Sequence, residues 1–141
     1  MQVRVQLLLL LAALGLLVSG ERALAEPCQR YEPDVIVLEG TLQLKAFAGP
    51  PHYKSIEFGD QPEAVWILTL LHPICIAALP EDAWNIALEG VQTVEIIPRT
   101  NITLALNGKR VQVQGSLSRP RSAHRHAEIA LRANLVAPSQ P

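Results

Sequence analysis

Apolar and polar residues alternate along most of this chain, which is the period of half-buried strands. Over residues 34–46, Ile36, Leu38, Leu42 and Leu44 share one face with Gly40, while Glu39, Thr41, Gln43 and Lys45 share the other. A glycine inside a strand marks a bulge or bend, so this strand is expected to turn at Gly40 and serve both halves of a small barrel. A second strand is expected over residues 64–71, with Val65-Trp66-Ile67-Leu68. It continues through Pro73-Ile74-Cys75-Ile76 after a kink, because Pro73 has no N–H for a ladder. Residues 91–97 make a third, ended by Pro98. In the fourth, residues 110–118, Val111, Val113, Gly115 and Leu117 alternate with Gln112, Gln114 and Ser116. The fifth, residues 124–136, has Ile129, Leu131, Ala133 and Leu135 on its apolar face. Residues 99–108 fit either a hairpin through Asn107-Gly108 or a short helix ended by Gly108; β-branching at Ile102 and Thr103 weakens the helix.

Five strands, with at most one short helix between the third and fourth, predict an all-β, OB-like five-stranded barrel. Leu38-Glu39-Gly40-Thr41-Leu42 and Val113-Gln114-Gly115-Ser116-Leu117 repeat one pattern, which suggests two strands that bend at equivalent places. The barrel domain is expected over residues 26–137, followed by a disordered tail over residues 138–141.

The longest apolar run lies outside this pattern. Residues 1–6 carry Arg4, residues 7–18 are apolar apart from Gly15, and Ala23-Leu24-Ala25 places small residues at alternating positions. This is the layout of a cleaved signal peptide over residues 1–25. The run is shorter than the roughly 20 residues of a membrane span, so no span is expected after cleavage. The localisation implied is periplasmic or secreted. Cys28 and Cys75 are the only cysteines, and in an exported domain an even count predicts a disulfide; the alternatives are two free thiols or a metal site, for which cysteines so far apart lack the ligand spacing. Cys28 follows Ala25-Glu26-Pro27, which lacks the small uncharged residues a lipidated cysteine requires.

The net charge is −1, but it is unevenly spread. Arg99, Lys109, Arg110, Arg119, Arg121, Arg125 and Arg132 face only Glu128 in the stretch they span. Such a run makes a solvated basic edge or a site for an anionic ligand or surface. Near-neutral charge, export and the separation of these residues from most aromatics argue against nucleic acid.

The loop over residues 47–60 holds both phenylalanines, Phe47 and Phe58, together with Tyr53. Gly49-Pro50-Pro51 stiffens it and Gly59-Asp60-Gln61-Pro62 closes it. The three aromatics either plug a barrel end or form a binding surface. In the second case Tyr53, Lys54 and Ser55 are the candidate contacts, with Trp66 on the barrel, where the face of strands two and three is a common OB-fold binding surface.

Tyr31-Glu32-Pro33, Gly40-Thr41-Leu42, Gly49-Pro50-Pro51-His52-Tyr53-Lys54-Ser55-Ile56, Gly59-Asp60, Trp66-Ile67-Leu68, Pro73-Ile74-Cys75 and Gly108-Lys109-Arg110-Val111 run through most of the mature chain. In these segments it resembles a family of small bacterial exported domains of unknown function, DUF4431. The resemblance implies an OB-like fold and no established activity. It also implies a histidine-rich stretch after the Gly-Lys-Arg-Val strand, thinned here to Ser122-Ala123-His124-Arg125-His126-Ala127.

His124, His126 and Glu128 alternate, so on a strand they would share a face and could hold Zn or another divalent transition metal. The neighbouring arginines oppose a cation, and a polar solvent face is the plainer expectation; His52 or His72 could complete a shell. Nucleophile-elbow, zincin, P-loop and C-x-x-C signatures are absent from the sequence, and Asn101-Ile102-Thr103 is a sequon only in a glycosylating host. The expectation is therefore a non-enzymatic, cofactor-free binding or interaction domain of the bacterial envelope, whose partner is an envelope protein or a small ligand. The alternative is a metal-binding protein built on His124, His126 and Glu128.

Overall fold

The computed structural model describes residues 26–122 and 124–140. The expected signal peptide over residues 1–25 lies outside the described residues. Five strands, β1 (Ile36–Ala48), β2 (Pro62–Ile76), β3 (Leu88–Pro98), β4 (Lys109–Ser118) and β5 (Ala130–Pro138), close into a barrel in the order β1-β2-β3-β5-β4. All pairings are antiparallel except β3 with β5, which is parallel. This is the OB-like all-β barrel that the alternation predicts. Residues 99–108 resolve into a 3-10 turn over Leu104–Leu106, with Gly108 at φ +76° leading into β4. Among the described residues no helix is long and apolar enough to cross a membrane.

β1 serves both halves of the barrel. Gly40 to Ala48 pair with β2, and Ile36 to Leu42 pair with β4. Gly40 therefore has a neighbour on each side, Leu70 and Val111. A Cβ there would sit 2.2 Å from the Thr69 carbonyl oxygen, and one at Gly115 would sit 2.2 Å from that of Arg132. The repeated pattern thus marks two points where adjacent backbones approach too closely for any side chain.

Inside the barrel Leu42, Leu68, Val94, Val111, Val113 and Leu131 are fully buried. Tyr31 joins them; its hydroxyl donates to the Ile86 carbonyl at 2.7 Å, and burial raises its pKa. Pro73 lies where β2 loses register against β3, between Thr69 and Ile74, so the missing N–H falls in an irregularity of the ladder. Close by, Cys28 and Cys75 form the expected disulfide. Gln29 continues the attachment: its N–H donates to Cys75 O at 2.8 Å, and its carbonyl accepts from Ala77 N at 2.9 Å.

Three expectations change in β5. The strand starts at Ala130, so residues 124–129 form turns and bends and do not extend it. A register shift against β4 separates the pairs Gly115–Ala133 and Gln114–Leu135, leaving Asn134 as an extra residue. The bulge reverses the alternation, so Leu135 is exposed and Val136 packs on the core. The strand also runs to Pro138, and Ser139 N donates to Arg110 O at 3.0 Å, where a disordered tail is expected.

Candidate functional site

The first loop, residues 49–61 between β1 and β2, is built around one carboxylate. Asp60 is buried and collects three backbone donors: Lys54 N at 2.7 Å and Ser55 N at 2.9 Å on Oδ2, and His52 N at 2.9 Å on Oδ1. His52 Nδ1 lies 3.2 Å from the same Oδ1. The amides of Ser55 and Lys54 are the chief cause of an Asp60 pKa far below the usual carboxylate range, outweighing the opposing effect of burial. Wrapped on this anion, the loop turns so tightly that Tyr53 takes a left-handed φ of 56°, with its N–H donating to Gly49 O at 2.9 Å. Gly59, at φ +101°, closes the short 3-10 turn over Ile56–Phe58.

The loop of residues 119–129, between β4 and β5, is fixed by a second carboxylate. Glu95 points outward from β3 yet is buried. Its Oε1 accepts from Arg125 Nη1 at 2.9 Å, and its Oε2 accepts from the His126 backbone N–H at 3.1 Å. The His126 ring stacks on Phe47 of β1, centroids 4.0 Å apart, and its Nε2 lies 3.7 Å from Glu63 Oε2. Phe47 and Glu63 are register partners, as are Ile67 and Glu95. The loop is therefore fastened at two places on the outer face of β1, β2 and β3. Val65 and Ile67, which point outward along β2 between them, are buried. Part of the strand two–three face, open to ligands in many OB-folds, is thus taken up by the protein's own last loop around Glu63 and Glu95, while Thr69 and Thr93 further along it are exposed.

One residue further back, the loop meets its counterpart. The His124 ring stacks on Tyr53 with centroids 3.9 Å apart and planes 20° from parallel. The sequence treats these residues as members of two separate candidate sites, and the structure joins them. Lys54 is exposed beside the pair, and Ser55 is half-buried with its amide committed to Asp60. Trp66 belongs elsewhere: it pairs with Leu44 and Ile96 and packs against the core as part of the barrel wall. Of the three loop aromatics, which the sequence leaves either to plug a barrel end or to form a binding surface, Phe47 stacks on His126, Tyr53 stacks on His124 and Phe58 is 89% exposed at the loop tip.

The shared strand face expected for His124, His126 and Glu128 is not formed. His124 stacks on Tyr53, His126 turns to Phe47 and Glu63, and Glu128 lies 4.0 Å from Arg119. His72 is exposed on β2 and His52 is turned to Asp60. Among the described residues the one group of three His, Cys, Asp or Glu ligand atoms close enough to share an ion is Cys28, Cys75 and Glu89, whose sulfurs form the disulfide.

Asp60 and Glu95, the two organising carboxylates, carry no motif. Glu95 does have a signal, a lone acid inside the apolar run Val94-Glu95-Ile96-Ile97, which asks for a partner. Asp60 has a weaker one, its place between Gly59 and Gln61-Pro62 in a turn cluster. No family model matches this chain, and no curated protein matches it in sequence.

Proposed function

We propose that this protein is an exported, non-enzymatic binding domain that takes its ligand at the junction of its first and last loops. Tyr53, Lys54 and His124 are the contacts in this reading. The observation that carries it is the Tyr53–His124 stack between two loops, each held by its own buried carboxylate. Such pre-organisation lowers the ordering cost of binding, and functional surfaces concentrate on loops held by a rigid scaffold. Aromatic faces beside an ammonium and backbone polar groups suit an oligosaccharide or another small polar ligand that can stack. A nucleic-acid strand would call for a basic groove as well. The disulfide and the pattern of residues 1–25 support an oxidising compartment, periplasmic or extracellular.

Amide NMR spectra of the purified protein, titrated with chitotetraose and separately with a short oligothymidine, test the reading. Saturable shifts centred on Tyr53, Lys54 and His124 are expected with the oligosaccharide and not with the oligonucleotide. Shifts centred elsewhere, or none with the oligosaccharide, overturn it.

A further inference from the structure

Four arginines that lie apart in the sequence meet at one cavity. Arg119, Arg121 and Arg125 come from the last loop and Arg132 from β5, and all four line a space of about 220 Å³. Glu32, from the segment before β1, and Asp82, from the β2–β3 connection, share the lining. Each guanidinium donates one hydrogen bond to a protein group, and Arg119 also lies 4.0 Å from Glu128 Oε1. Arg121 Nη2 donates to Asp82 Oδ2 at 3.0 Å, Arg125 Nη1 to Glu95 Oε1 at 2.9 Å and Arg132 Nη1 to Glu32 Oε2 at 3.2 Å. Arg119 Nη1 donates to the Trp84 carbonyl at 2.9 Å, and its guanidinium lies 4.9 Å from the centre of the Trp84 ring.

These contacts orient the guanidinia without exhausting them. A guanidinium carries several N–H donors in a rigid fork, and one hydrogen bond fixes the direction of the others. Arg121 and Arg132 remain 72% and 43% exposed at their side chains, so their remaining donors are open to an incoming group. Of the carboxylates that hold the arginines, only Glu32 and Asp82 face the cavity; Glu95 is buried behind Arg125, and Glu128 belongs to the neighbouring depression around Trp84. On the lining itself four guanidinia therefore meet two carboxylates, with Glu95 and Glu128 pairing Arg125 and Arg119 from outside it. Ser118 and Asn85 add neutral polar groups. The volume lies below the roughly 300 Å³ at which drug-sized sites begin, which fits a small anionic group.

We propose that this cavity binds a small oxyanion, of the phosphate-monoester class, through the remaining N–H groups of Arg119, Arg121, Arg125 and Arg132. Forked guanidinium donors match the geometry of phosphate oxygens. The cavity is a second site, separate from the Tyr53–His124 junction, and stands whether or not that junction binds a sugar.

The test uses amide and guanidinium NMR spectra of the purified protein with sodium phosphate, with glycerol 3-phosphate and with sodium chloride at matched ionic strength. Saturable shifts at the four arginines are expected with glycerol 3-phosphate and not with chloride. Saturation by inorganic phosphate as well assigns recognition to the oxyanion alone, and saturation by the ester alone assigns it to the monoester. The Arg121→Gln variant, changed at a side chain exposed enough to leave the fold intact, should bind about tenfold more weakly, the loss of one charge-assisted hydrogen bond. Shifts that follow chloride, no saturation with either phosphate, or unchanged affinity in Arg121→Gln overturn the proposal.

Discussion

Tyr53 and His124 stack face to face at 3.9 Å, joining the first loop of the barrel to the last. Neither residue lies on a strand, so nothing in the sheet register imposes their meeting. It follows from two carboxylates that act separately. Asp60 bends residues 52–55 so that Tyr53 projects, and Glu95 holds residues 125 and 126 so that His124 reaches it.

The Asp60 carboxylate should give the first loop a pH-dependent stability. Its pKa is lower in the folded state than the roughly 3.9 of an unfolded aspartate. The anion's contribution is therefore complete above that unfolded value and is lost as pH falls through it toward the folded one. Urea unfolding followed from pH 6 down to pH 2 should show stability declining at the acid end. In Asp60→Asn the neutral-pH stability should be lower and that acid slope shallower; an unchanged slope would contradict the assignment.

Glu95 should govern how tightly the last loop lies on the barrel. Glu95→Ala removes the acceptor for both Arg125 and the His126 amide. Amide hydrogen exchange at His126 should accelerate by about tenfold or more, matching the loss of a charge-assisted hydrogen bond. Exchange in the centre of β1 should change far less.

Gly40 and Gly115 should each refuse alanine. A methyl group would meet a neighbouring strand's carbonyl oxygen at 2.2 Å in both cases, and backbone atoms cannot swing aside as a side-chain end can. Gly40→Ala and Gly115→Ala should each cost about 3 kcal/mol, the upper part of the overpacking range, measured by chemical denaturation. Gly90→Ala, in open space but at φ +66°, should cost only about 1 kcal/mol from backbone strain.

The disulfide ties the segment before β1 to the end of β2. Cys28→Ser with Cys75→Ser should lower stability by about 2–4 kcal/mol, as for a loop spanning 47 positions. Thiol labelling of the unfolded, unreduced wild-type protein should find no reactive cysteine.

The barrel itself is legible in the sequence because most of each strand keeps its period of two, and because Gly40 and Gly115 recur in one pattern where neighbouring backbones approach closely. The last loop is not. His124, His126 and Glu128 continue the alternation of β5 backward from Ile129, so local pattern extends a strand where Glu95, far away in sequence, draws the chain across the barrel's outer face. Leu135 is misplaced for a related reason: one extra residue, Asn134, inverts the faces beyond it. Tyr53 and Lys54 are legible as candidates from loop chemistry, whereas the stacking of Tyr53 on His124 depends on a tertiary contact that no spacing encodes.

The union of the two loops is tested most directly by nuclear Overhauser contacts between the Tyr53 ring protons and the imidazole protons of His124. Strong cross-peaks are predicted in the wild-type protein, weakening in Glu95→Ala as the last loop loosens. Their absence from the folded wild-type protein would contradict the central claim, because the two loops would then not form one surface.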